Sequence, residues 1–290
     1  MPRDARQAGV ALCAAAVLCA HAGGLQPMAD EELSGVRGSD GLAFNLRDFS
    51  LSGPLTLTYT SPAGASLWLG KLELSRSDDP ASTFSDPYRL RVLSRGNGLA
   101  DVIQLTEPAN ASGLLKWQFA ADWGVNADGT DFQGGALRVQ DLVTRGGSVT
   151  LTTPATPGVE GIAFGLALQA DIGHVLLRPR GRDDASEQLR LSGVRLGAVS
   201  DSGVLLGTPW AIADATNQPG IFNAVTEANG QSYLHLGIGW PTTSAPIGGL
   251  AIDSMVFKSD SLPGGSMDLG SSRVGTMQIQ YLDVKLKAGF

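Results

Sequence analysis

Beyond its first 22 residues this 290-residue chain carries only two histidines, His174 and His235, each within an apolar run of strand character. Histidines so placed are expected to be structural, hydrogen-bonded within a sheet, rather than general bases or metal ligands. No His-Glu-x-x-His pair, no serine in a Gly-x-Ser-x-Gly elbow and no phosphate-cradling glycine loop occurs. Two carboxylates alone suffice for glycoside hydrolysis, but aromatic residues at 6% are too sparse to suggest a sugar cleft. A non-enzymatic protein is therefore expected, with a secreted carbohydrate-active or carbohydrate-binding protein as a remote alternative. The segment Asn126-Ala-Asp-Gly-Thr-Asp131 spaces oxygen side chains around a glycine, as Ca²⁺ loops do. Asn126, Asp128 and Asp131 are thus a candidate Ca²⁺ set, and the same residues make a good plain turn. No other cofactor is expected. The tryptophans Trp68, Trp117, Trp123, Trp210 and Trp240 read as core residues, with a binding platform as the alternative.

Composition bounds the classes that remain. Hydrophobic residues at 43% and charged residues at 17% describe a chain able to bury a core, unlike a disordered one. With 21 basic against 28 acidic residues and no Lys/Arg run, a nucleic-acid partner is not expected.

The N-terminus reads as an export signal. Arg3 and Arg6 precede an apolar run from Val10 to Ala20, and Ala20-His21-Ala22 puts small residues where signal peptidase reads them. The run falls short of the ~20 residues that span a bilayer, which disfavours a membrane anchor. Cys13 and Cys19 lie inside the segment 1–22, and Leu18 before Cys19 disfavours a lipoprotein cut. The exported chain, starting near Gly23, is then expected to have no thiol or disulfide. Its expected location is the periplasm, outer membrane or cell surface of a Gram-negative bacterium.

Residues 23–39 form a second unit. Asp30 can cap a short helix, acidic residues fill its first turn, and Gly38 can end it. Met28, Leu33 and Val36 then share one face. This stretch resembles a double-glycine leader, the recognition sequence of C39-type cysteine peptidases. With the cut after Gly38-Ser39, Val36 stands fourth, Leu33 seventh, Glu32 eighth and Met28 twelfth before it. The resemblance implies an amphipathic helix docked in an apolar groove of that peptidase and a small pair in its cleft. The alternative is a helix packed on the body. The segment 25–42 also resembles the Fil-type pilus-assembly proteins of Gram-negative bacteria, which implies a surface or pilus-associated structural component with envelope partners and transfers no catalytic residue.

From residue 40 to 290 the chain reads as all-β. Leu42, Phe44 and Leu46 alternate with Ala43, Asn45 and Arg47, and Leu55, Leu57 and Tyr59 alternate with threonines. Leu67 and Leu69 are followed by Leu72 and Leu74, a slip at Gly70-Lys71 that predicts a bulge. Residues 88–93 and 101–105 flank Gly96-Asn97-Gly98 as a hairpin would. Further runs occur at 114–123, 136–143, 148–152, 188–196, 233–238, 250–257 and 278–288. Alternating blocks opening at Leu42, Ala136, Gln188 and Leu250 recur at irregular intervals, which excludes a short-period solenoid. The expectation is an extended, loosely repetitive antiparallel β-sandwich or solenoid-like sheet, with candidate subdivisions at 153–158 and 178–184. The final run, with Leu282, Val284, Leu286, Ala288 and Phe290 in alternation, resembles the assembly signal of outer-membrane proteins. An integral outer-membrane β-barrel is therefore the alternative to a secreted or surface-attached structural protein. Against it stand sparse aromatics and several short or interrupted runs.

Overall fold

In the computed structural model of the chain the described residues are 41–60, 66–79, 81, 86–96, 98–127, 130–226 and 232–287. They contain strands and connections and no helix, so the body is all-β as its alternation predicts. Two antiparallel sheets of nine strands each account for it. The expected helix in 23–39 lies outside the described residues.

The two sheets are successive legs of one meander. The first pass runs from β1 (Leu42–Phe44) in the first sheet to β2 (Ser50–Ser52) and β3 (Thr56–Thr60) in the second. The second pass returns through β4 (Ser66–Arg76) and β5 (Tyr88–Leu93). The third climbs through β6 (Val102–Thr106) and β7 (Trp117–Ala127), and the fourth descends through β8 (Thr130–Thr144) and β9 (Ser148–Thr152). The fifth joins β10 (Ile162–Leu168) to β11 (Ala170–Arg178), with Gln169 alone between them. The sixth takes β12 (Gln188–Ala198) to β13 (Trp210–Ala213) and β14 (Gly220–Thr226). The seventh takes β15 (Ser232–Ile238) to β16 (Gly248–Lys258), and the eighth β17 (Ser266–Met277) to β18 (Leu282–Lys287). Neighbouring passes pair in both sheets, so strand order follows chain order throughout. Ser39–Phe290 form one compact unit. Residues 153–161 connect the paired strands β9 and β10, and residues 179–187 connect β11 and β12.

The predicted slip in β4 is a bulge. Its register against β7 shifts between Gly70 and Glu73, and Lys71 takes a left-handed φ of 49°. The extra residue keeps Leu67, Leu69 and Leu74 paired with Val125, Trp123 and Phe119.

Register sorts the residues into two contrasting faces. In the first sheet Val92, Ile103, Leu151 and Phe164 are successive cross-strand partners, and the row continues through Gly220, Ile238 and Leu282. In the second sheet Leu137, Leu177, Leu189, Phe257 and Met267 form a similar row. The opposite faces carry Gln104, Thr150 and Gly165 in one sheet and Gln140, His174, Ser192 and Ser254 in the other. A sheet with one solvated face ordinarily buries its large apolar side. Here the order is reversed along part of each row, although Ile238 in the first is buried. Val92, Ile103, Val149, Ile162, Leu177, Phe257, Met267 and Val284 are all exposed. Among the described residues the buried apolar ones are seven alanines, Ala136 and Ala163 among them, together with Val102, Leu115, Trp117, Val143, Leu176, Val194, Val199, Trp210 and Ile238, and the largest side chains below 2% exposure are Gln218 and Pro108.

Small residues also admit aromatic rings. Trp68 lies over its partner Gly124, Phe164 over Gly220, and Trp210 against Gly248, where an added Cβ would come within 2.6, 2.3 and 2.1 Å of the ring. The last contact joins the two sheets.

Candidate functional site

Chemistry-bearing groups cluster in three places. The first is the corner where the second, third and fourth passes change sheets. There the Arg76 guanidinium, buried, pairs with Asp78. Burial pushes the Asp78 carboxyl up, but that pairing and the Lys116 backbone outweigh it and hold it below its ordinary value. Glu107 lies beside it with Oε2 against Gly147, where a Cβ would approach to 2.6 Å. That oxygen is the one buried side-chain polar atom among the described residues without a hydrogen-bond partner. Burial raises the Glu107 pKa, offset only in part by the nearby Thr144 side chain and Gly147 backbone, which lower it. Burial, then the Glu107 charge, pushes the nearby Tyr88 phenol up to about 12.

The second cluster is an ionic lattice over the far end of the second sheet. Arg182 donates to Asp122 at 2.9 Å and to the Lys71 carbonyl at 2.8 Å, and pairs with Glu73 at 2.7 Å. Arg180 bridges Glu187 and Asp260 at 3.0 and 2.8 Å. The basic stretch at 178–184 thus ties one connection to the strands β4 and β7 and to the connection between β16 and β17. A cavity of about 690 Å³ near the middle of the passes is lined by Arg145, Gln169, Asp171 and Arg195. Its charges are already engaged: Arg145 holds Asp171 and the carbonyls of Asn110 and Ala111, and Arg195 holds Asp253.

The third cluster sits at the C-terminal edge of the first sheet. His235 on β15 reaches Asn223 Oδ1 through Nδ1 at 3.0 Å and Asp283 Oδ1 through Nε2 at 3.1 Å. The Tyr281 hydroxyl donates to the other oxygen of Asp283 at 3.4 Å. Tyr281 in turn stacks on Trp240, with ring centroids 5.5 Å apart and planes 14° from parallel. Both rings are open to solvent, Trp240 at 67% and Tyr281 at 51% exposure. The core reading therefore fails for Trp240, whereas Trp117 and Trp210 are buried. The chain around Trp240 held the signal: Gly239 and Pro241 on either side end the apolar strand before it.

Of the residues singled out in the sequence, His174 and His235 lie in strands with hydrogen-bond partners, His174 on Ser192 at 3.1 Å. Asn126 and Asp131 face each other across the β7–β8 hairpin, and the Asn126 amide donates to Asp131 at 2.5 Å. That bond turns the Asn126 nitrogen, a donor, toward Asp131; Asp128 lies outside the described residues. No group of three or more His, Cys, Asp or Glu side chains fit to hold a metal occurs among the described residues. Ala20, Ala22, Met28, Glu32, Leu33, Val36, Gly38, Ser39 and Phe290 also lie outside them.

No protein-family model, no curated protein and no solved structure matches the chain.

Proposed function

We propose that the chain is an exported, non-enzymatic cell-envelope protein with a structural role, and that its apolar sheet face seats it in the outer membrane as a barrel-type assembly. One observation carries this reading: large apolar side chains such as Val92, Ile103, Leu177 and Phe257 are exposed on both sheets, while seven of the sixteen buried apolar residues among those described are alanines, beside a set of large ones that includes Trp117, Leu176, Trp210 and Ile238. That is the arrangement lipid requires, since a strand crossing a bilayer turns its apolar residues outward. The topology supports it. Eight passes leave both ends of the meander at the first sheet, and the first and last passes run antiparallel to each other. Their edges could join in the sense used by every other pair, which a membrane sheet needs because lipid satisfies no backbone group.

A washed envelope fraction tests the proposal. The protein should resist extraction by alkaline carbonate, migrate differently in a semi-native gel with and without boiling, and fail to assemble when residues 281–290 are deleted. The second reading is a soluble or peripherally attached subunit, in keeping with the pilus-protein likeness of residues 25–42. The edge strand β17 favours it: twelve residues long and exposed along most of its length, it offers a partner a ladder to pair with. Full release by carbonate with no heat-dependent shift would select this second reading.

A further inference from the structure

We infer that the stacked Trp240–Tyr281 pair and the polar group beside it are a saccharide-binding platform for pyranose rings. The argument begins with exposure. Trp240 is the exposed member of the chain's five tryptophans, so the largest side chain at this edge forgoes the burial that would ordinarily stabilise it. It is also held rigidly. Gln218, 1% exposed, directs its amide at the carbonyls of Gly239, Ile279 and Gln280, at 3.2, 2.6 and 3.4 Å. Two of those carbonyls belong to the residues immediately before Trp240 and Tyr281. One buried amide therefore locks both backbones that carry the rings. On the far side of Trp240, Thr242 and Thr243 are fixed by Asn217, and Gln278 donates to Ala245 at 2.8 Å. A ligand meeting this surface finds it already ordered, which removes much of the entropy cost of binding.

The geometry selects the ligand class. Nearly parallel rings cover one face of each other and leave a flat outer face, rather than the walls of a cage around a cation. A flat apolar face with hydroxyls around its rim is what a pyranose ring with equatorial substituents offers. The protein's rim is matched to it. Asp283 accepts a hydrogen bond from the Tyr281 hydroxyl on one oxygen and has its other oxygen 3.1 Å from His235 Nε2, and a carboxylate oxygen has a second lone pair with which to accept from a sugar hydroxyl. Asn223 and Gln280 add amide groups that both donate and accept. A nucleobase would also stack, but the excess of acidic over basic residues opposes the phosphates that come with it. Acid-base cleavage is no part of this proposal; the site binds.

Titration of the full chain with cellohexaose, maltohexaose and chitohexaose, followed by tryptophan fluorescence, tests it. At least one should bind saturably and shift the emission of Trp240. Trp240→Ala should weaken that binding about tenfold or more, as loss of a stacking ring does elsewhere. Trp240→Phe, which keeps a flat ring, should stay within about threefold of the native chain, and Asp283→Ala should weaken binding while leaving the far-UV circular dichroism unchanged. Absence of binding by all three sugars at about 10 mM, weaker than any specific small-ligand site, overturns the proposal. So does binding that Trp240→Ala leaves intact. A Trp240→Ala chain that binds no less sugar but leaves membranes more readily would instead make the pair an interfacial anchor.

Discussion

Glu107 shows what a single residue costs when the fold around it is made of small neighbours. Its Oε2 has no partner and lies against Gly147, and burial keeps its pKa above the ordinary carboxylate value. Between the unfolded pKa and that raised value the native chain binds more protons than the unfolded one, so stability falls as pH rises through the window. Glu107→Gln removes the titration. Its unfolding midpoint should therefore decline less than the native chain's as pH rises above the ordinary glutamate pKa of about 4, a difference read by thermal melts taken upward from there. Glu107 was not legible in the sequence, because nothing local to Thr106-Glu107-Pro108 announces a corner between sheets. His174 and His235 were legible, since a histidine amid alternating apolar residues has a strand for a setting and cross-strand hydroxyl, amide or carboxylate partners to find. Trp240 was misjudged for the converse reason: residue type suggests burial, and only the glycine and proline around it argue otherwise.

At the scale of elements, the strands that could be read were those whose large apolar residues alternate with polar ones. Residues 148–152 read as a strand and are β9, and the 188–196 run is β12 less its last two residues. The strands left unread include β2, β10, β13, β14 and β17, which mix Ala, Gly or Ser into their alternation. Those small residues weaken the local signal, and where a reason is visible it is tertiary: Gly220 on β14 makes room for the Phe164 ring on β10, and Gly165 on β10 for Thr150 on β9. Gly248, at the start of β16, is confined by a ring in the same way. A Cβ there would come within 2.1 Å of the Trp210 ring, which is itself fixed by a hydrogen bond from Nε1 to the Pro246 carbonyl at 3.1 Å. Gly248→Ala should accordingly destabilise the chain by about 1–3 kcal/mol, the usual cost of overpacking. Denaturant unfolding would register it as a lower midpoint at unchanged slope. Trp210→Leu in the same chain should recover part of the loss, because it removes the ring that the new methyl meets.

For the molecule as a whole, alternation in the sequence predicts that each strand has an apolar side but not which side turns outward. Period-2 patterning is the same for a sheet that hides its leucines and for one that displays them. What decides between them is the volume available on the other face, where Ala136 at 0% exposure and Gly165 are buried and Gln104, Thr150, Gln140, His174 and Ser192 are half-buried. The larger side chains cannot exchange places with them without overpacking, so the apolar face stays outward in any medium that preserves the register. Ile103 samples that face from an interior position, flanked by Val92 on β5 and Leu151 on β9, with half of its surface open. If lipid covers it, Ile103→Arg should cost about 2–4 kcal/mol near mid-depth and sharply reduce the carbonate-resistant fraction. If water covers it, the same change should stay within about 0.5 kcal/mol and improve solubility. Val204→Arg, at an exposed residue in the connection after β12, should be tolerated under either condition and controls for added charge. Measuring both variants in the envelope and in detergent-free buffer separates the two media: the difference between Ile103→Arg and Val204→Arg should appear in the first preparation and vanish in the second if the outward leucines, isoleucines and valines exist to meet lipid.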